Sequence, residues 1–197
     1  MAVTLVDKVV DFHREKDWRR ILDLREQFSN EDTRKILWAW PSEENLLFLR
    51  EALISEHMEG VVSIGCGCGL LEWILQQYTG LSVVGIEVNR PWWESKYSNP
   101  SFIPLTYIDD QEDVNLNPSY ALLFCYFNSG PDFRQYVKQY SGKMIIIIGP
   151  DEGSGRHTDP QPFSPEFGSS DWHLVRSQQV KDTGDFIAVY QRSHVTI

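Results

Sequence analysis

The chain changes rhythm near residue 60. Before that point apolar residues recur every three or four positions: Leu5, Val9 and Phe12, then Trp18, Ile21, Leu22 and Phe28, with charges between them. This spacing places them on one helix face. It predicts a helical segment over residues 1–40, interrupted at Ser29-Asn30-Glu31-Asp32. A second helix is expected to open at Pro41-Ser42-Glu43-Glu44, with Ser42 as N-cap and two Glu at the positive end of the helix dipole. Leu46, Leu49 and Leu53, with Leu47 and Ile54, form its apolar stripe, and Gly60 is expected to end it.

After residue 60 short apolar runs alternate with helical patterns. Val61–Ile64, Ser82–Ile86, Ser101–Leu105, Tyr120–Phe127 and Lys143–Ile148 read as strands. Leu70, Leu71, Ile74, Leu75 and Tyr78 mark a helix after the first strand, and Asp132–Tyr140 one after the fourth. Runs without polar alternation suit a parallel sheet covered on both faces, and strand–helix alternation indicates an α/β layered fold. A loop rich in Gly, Pro and Ser spans Gly149–Ser170. His173–Val180 and Asp185–Gln191, joined by Lys181-Asp182-Thr183-Gly184, then read as a terminal hairpin. The expected organisation is one α/β unit over residues 41–197, with the helical segment 1–40 packed on its core.

The 197 residues suit a single domain. A chain of this size buries enough apolar surface to need no disulfide or metal staple. Lys and Arg number 18 against 28 Asp and Glu, a net charge of −10. That balance repels a polyanion, so nucleic acid is not the expected partner. The basic enrichment is confined to Arg19, Arg20, Arg25, Arg34 and Lys35, a solvated helix face or a surface for a protein partner. No apolar run approaches the roughly 20 residues of a membrane span, and the N-terminus lacks signal-peptide character. Three cysteines, Cys66, Cys68 and Cys125, make neither a disulfide framework nor a zinc set. An intracellular setting, cytoplasm or nucleus, is expected.

The chemistry concentrates at Val62-Ser63-Ile64-Gly65-Cys66-Gly67-Cys68-Gly69, where three glycines alternate between a strand and a helix. Glycine lets the main chain take positive φ and come close to a ligand. Glu87 stands 22 residues after Gly65, at the end of the second strand. A carboxylate there can accept both hydroxyls of a ribose. The spacing differs from G-x-G-x-x-G, in which a pyrophosphate sits on the helix N-terminus. It suits a ligand without phosphates. The alternative is a tight strand-to-helix turn with no ligand.

The turn and its acid resemble those of the class I S-adenosylmethionine-dependent methyltransferases. Trp40-Pro41-Ser42-Glu43-Glu44, Leu122-Leu123-Phe124-Cys125-Tyr126 and Gly149-Pro150-Asp151-Glu152-Gly153 occur in order around it. Together they resemble a little-characterised methyltransferase-like group with a Pro-x-Glu-Glu helix start, a Leu-Cys-Trp-Pro-Pro-Tyr strand end and a Gly-Glu-Gly loop. The likeness spans residues 38–192. It implies a Rossmann-like methyltransferase fold: a mostly parallel seven-stranded sheet with a C-terminal antiparallel hairpin and N-terminal helices. It implies S-adenosylmethionine as cofactor, bound by Gly65, Cys66, Gly67, Gly69, Glu87, Asp109 and Cys125, with Tyr126 and Asn128 at the transferred methyl. This chain departs from the pattern twice. Ser63 stands where many class I enzymes carry an acid, and Tyr126-Phe127-Asn128-Ser129 replaces the Trp-Pro-Pro-Tyr run.

Two functions follow from the resemblance. One is methyl transfer to a small-molecule or protein acceptor. The other is a catalytically lapsed fold serving as a sensor of S-adenosylmethionine or as an interaction module, with the N-terminal helices contacting a protein partner. Trp38, Trp40, Trp92 and Trp93 are candidates for stacking or for packing. Glu152 and His157 form part of a polar loop after the fifth strand, as a base or as plain surface. No His is placed to activate Cys125, so cysteine catalysis is not expected.

Overall fold

A computed structural model describes residues 3–108, 114 and 116–193. The apolar runs are strands of one sheet. β1 (Gly60–Ile64), β2 (Ser82–Glu87), β3 (Leu105–Tyr107), β4 (Tyr120–Cys125) and β5 (Met144–Pro150) run parallel. β6 (Trp172–Gln179) and β7 (Asp185–Arg192) form the C-terminal hairpin. The strand order is β3-β2-β1-β4-β5-β7-β6, with β7 inserted antiparallel between β5 and β6. The order reverses between β1 and β4, so the carboxyl ends of these two strands diverge into a crevice.

Side chains alternate across the sheet, and the two faces carry separate apolar clusters. Val61 joins Ile146, Ile187 and Val189 on one face. The helices that cover this face are α1 (Leu5–Arg14), α2 (Trp18–Asp23), α4 (Glu43–Ser55) and α5 (Leu70–Thr79). Val62, Ile64, Leu122 and Phe124 point to the other face, against Phe133 and Val137 of α7 (Gly130–Gln139). The edge strand β6 is different: most of its side chains lie exposed on both faces.

Several boundaries differ from expectation, each for a local reason. The expected interruption near Ser29 is present: helical structure stops at Glu26, and Ser29 caps a new helix, α3 (Asn30–Arg34), by accepting from the Asp32 amide at 3.1 Å. A further break, not expected, falls at Lys16, whose φ is +57°. Gly60 does not end α4. The helix stops at Ser55, His57 turns the chain at φ +54°, and Gly60 opens β1. Ser42 does cap α4, in a reciprocal capping box with Asn45. The Asn45 amide nitrogen also donates to Gln178 Oε1 and the Gln179 carbonyl, pinning α4 to β6.

The third strand is not at Ser101–Leu105. Phe102 and Ile103 are buried, but as loop residues: the Phe102 amide donates to the Cys68 carbonyl at 2.8 Å. Pro104 then removes a ladder donor, and pairing begins at Leu105. β4 ends at Cys125 rather than Phe127, because Tyr126 takes φ +52° and leaves the extended region.

Candidate functional site

The turn between β1 and α5 is built from backbone hydrogen bonds. Gly65, Gly67 and Gly69 have φ of +68°, +62° and +76°. The Gly65 and Cys66 amides donate to the Ile86 carbonyl at 2.9 and 3.3 Å, which folds the turn onto the end of β2. Gly69 starts α5 without a side-chain cap, and its own amide donates to the Cys66 carbonyl at 3.1 Å.

Glu87 closes the same end from β2. Its Oε1 accepts from the Gly67 amide at 2.6 Å, and its Oε2 from the Val88 amide at 3.1 Å. Burial pushes the Glu87 carboxyl above its ordinary range, while hydrogen bonds from Gly67, Val88 and Trp93 oppose that rise. The sequence placed Glu87 at this turn, and the geometry brings the two together.

A cavity of about 540 Å³ opens at this point, at the carboxyl ends of β1, β2 and β4. Ile64 and Gly65 line it from β1, and Ile86, Glu87 and Val88 from β2. Ile108 and Val114 follow β3, residues 126–129 follow β4, and α7 presents Asp132, Gln135, Tyr136 and Gln139. No Lys or Arg stands among the described lining residues. Of the residues singled out from sequence, Gly65, Glu87, Tyr126 and Asn128 meet here. Gly67 joins through its bond to Glu87. Cys66, Gly69 and Cys125 are not part of the lining, and Asp109 lies outside the described residues. Burial raises the thiols of Cys66 and Cys125, so neither is poised to ionise.

Phe127 had no assigned role in the sequence and proves central to the geometry. A Cβ on Gly65 would come 3.0 Å from Phe127 Cδ2 and 3.3 Å from Cε2, so the ring lies directly over the turn. It meets Phe124 edge-on, with centroids 5.3 Å apart. Its carbonyl accepts from the Asp159 amide at 3.1 Å.

Tyr126 faces the other side of the sheet. Its hydroxyl donates to Asp185 Oδ1 at 2.5 Å and accepts from Arg156 Nε at 2.9 Å. Arg156 Nη2 also pairs with Asp185 Oδ1 at 2.8 Å, and Trp38 stacks on the Tyr126 ring at 5.1 Å. Burial and the Asp185 carboxylate hold the Tyr126 phenol above its ordinary range. The Arg156–Asp185 pair was not legible from sequence, because residues 29 apart meet only through the β5–β7 pairing.

Ser63 points toward α5, where its hydroxyl donates to Glu72 Oε1 at 2.6 Å. Glu72 is 1% exposed, and burial pushes its carboxyl up to about 7. Its Oε2 has no partner among the described residues. The acid missing from Ser63 thus has a carboxyl beside it, supplied by the helix. The sequence signal was a lone acid inside the apolar run Leu70–Leu75.

No protein-family model matches the chain, and no curated protein matches it. Solved structures do. A mutant of MtNAS superimposes at TM-score 0.51 with 13% identity, over 96% of this chain and 73% of its own. Thermoplasma acidophilum 1320 gives 0.50 with 14% identity, over 76% and 84%. The chain has the Rossmann-like methyltransferase fold. The 16S rRNA methylase RmtB matches at TM-score 0.49 and 14% identity, over 98% of this chain and 77% of its own. At such identities the likeness is one of fold, and the methyltransferase fold by itself names no acceptor. Among the described residues no helix is long and apolar enough to cross a membrane, and no cluster of His, Cys, Asp and Glu could hold a metal ion.

Proposed function

We propose that the chain binds S-adenosylmethionine in the cavity beside Glu87 and transfers its methyl group to a small-molecule or protein acceptor. The observation that carries this reading is the placement of Glu87. A mostly buried carboxylate bridges the glycine turn and a cavity at the switch point of the sheet. The volume of about 540 Å³ falls within the range of roughly 300–1,000 Å³ common for small-ligand sites. Ile86, Ile108 and Val114 offer apolar walls for an adenine, and Glu87 an acceptor for the ribose hydroxyls. The lining carries no described cation to hold a phosphate.

When bound, S-adenosylmethionine supplies an electrophilic methyl on a sulfonium. The chain's own part is to hold and orient. Glu87 fixes the sugar, and Tyr126 and Asn128 line the end of the cavity where β4 stops. In-line displacement is accelerated mainly by positioning. Tyr126 borders the cavity by its place after β4, but its ring stacks on Trp38 on the other side of the sheet and its hydroxyl donates to Asp185, so its place at the transferred methyl rests on resemblance alone. Asp109 is carried as a contact to the adenine amino group, on resemblance alone.

Titration calorimetry tests the cofactor. Wild-type protein is expected to bind S-adenosylmethionine and S-adenosylhomocysteine, with Glu87→Ala weakening both at least about tenfold. Failure of wild-type protein to bind either removes the reading. Two observations favour a second one, a lapsed enzyme acting as a sensor or interaction module. The Phe127 ring covers Gly65, and Ser63 replaces the acid of the resemblance. Labelled S-adenosylmethionine incubated with protein and cell extract distinguishes them. Methyl label on an acceptor supports transfer, and binding without label supports the sensor.

A further inference from the structure

The glycine turn has few donors to spare. Its amides at Gly65 and Cys66 are taken by the Ile86 carbonyl, that of Gly67 by Glu87, and that of Gly69 by the Cys66 carbonyl. The ring of Phe127 lies over Gly65, against the fully buried Phe124. Phe124 in turn packs edge-on against Phe133 of α7, with centroids 4.9 Å apart. The Phe127 main chain is held as well, by the Asp159 amide and by the bridge between Asn128 and Asp159. Beyond the ring the described lining offers carboxylates, Glu87 and Asp132, and no Lys or Arg. A ligand carboxylate pushed along the turn would therefore meet a phenyl edge, engaged amides and like charge. Burying a charge in such a place is costly unless it is paired.

We propose that Phe127 sets the length of ligand this cavity takes. With the ring on Gly65, the site accepts a neutral adenosine carrying a short 5′ substituent. A ligand with a charged aminoacyl tail enters only when the ring leaves the turn. The proposal rests on the reading that the cavity binds an adenosine-type ligand. It adds a specificity-determining residue to that site and ranks the ligands. The tail that distinguishes S-adenosylhomocysteine from 5′-methylthioadenosine gains little in wild-type protein, and removing the ring restores its worth.

Calorimetric titrations of wild-type protein and Phe127→Ala with adenosine, 5′-methylthioadenosine and S-adenosylhomocysteine test it. In wild-type protein, S-adenosylhomocysteine should bind no more than about threefold tighter than 5′-methylthioadenosine. In Phe127→Ala it should gain at least about tenfold, while adenosine stays within about threefold of its wild-type value. Phe127→Leu, which keeps an apolar side chain of shorter reach, should fall between. Thermal melts establish that the variants fold, and the wild-type ranking stands without any variant. A wild-type preference for S-adenosylhomocysteine of about a hundredfold, unchanged in Phe127→Ala, overturns the role of Phe127 and leaves the cofactor reading intact. Equal gains for all three ligands in Phe127→Ala overturn it too. If folded wild-type protein binds none of the three, the cofactor reading falls and this proposal with it.

Discussion

Glu72 is a single carboxyl inside an apolar helix face, held by one hydrogen bond from Ser63. The groups that act on it are Ser63 and its own backbone amide, which stabilise the charged form, and Glu87, which opposes it. The folded chain keeps this proton up to about pH 7, whereas an unfolded Glu loses it near 4.5. Between those values the native state binds more protons than the unfolded state, so stability falls as pH rises through the window. The effect is absent below pH 4.5 and complete above about pH 7. At about 1.4 kcal/mol per unit, the shift amounts to roughly 3 kcal/mol at neutral pH. Glu72→Gln removes the titration and keeps an acceptor for Ser63. Its melting temperature should therefore exceed that of wild-type protein at pH 8, with the difference vanishing near pH 5, as read by thermal denaturation across pH. A constant difference between the two proteins at all pH values would contradict this. At this scale the sequence exposed Glu87, because its offset from Gly65 is a spacing along the chain. Glu72 and Phe127 escaped, because what matters in them is what they touch.

Individual elements show which local signals are readable. The α5 start depends on Gly69, whose left-handed backbone is closely faced by Ile103 Cγ1 where a Cβ would lie. Gly69→Ala combines an unfavourable left-handed conformation with a steric conflict in the core. It should cost roughly 2 kcal/mol or more, measured by urea denaturation. A cost within a few tenths of a kcal/mol would show that Ile103 moves aside freely. Strands β1, β4 and β5 were legible because apolar runs of this length have few uses other than a parallel strand covered on both faces. The third strand was misplaced because Phe102 and Ile103 are apolar for the core's sake and not for the ladder's. The short helix α6 (Arg90–Trp93) escaped notice although Asn89 caps it and Pro91 stands in its first turn. The start of α7 was likewise set too late, since Ser129 is its cap and Pro131 again occupies the first turn.

Over the whole molecule, the N-terminal helices and the sheet share one apolar cluster. Leu5, Val9, Ile21 and Leu24 belong to the same buried group as Ile146 and Val189. Trp40 links the two parts, buried in the core with its indole nitrogen donating to the Leu22 carbonyl at 3.2 Å. Shared burial of this kind predicts a single cooperative unfolding transition, seen alike by far-ultraviolet circular dichroism and by tryptophan fluorescence. Two separated transitions would show the helices leaving the sheet independently. The layered architecture was the most legible property of the sequence, because periodicity and apolar runs report burial directly. The end of the sheet where β4, β5 and β7 converge was not, and it carries a mechanical consequence. Arg156 belongs to the segment after β5, yet it is the cation that neutralises Asp185 in the interior. Peeling that segment away would leave the buried Asp185 carboxylate with the Tyr126 hydroxyl but without its cation, so the ion pair opposes the segment's departure.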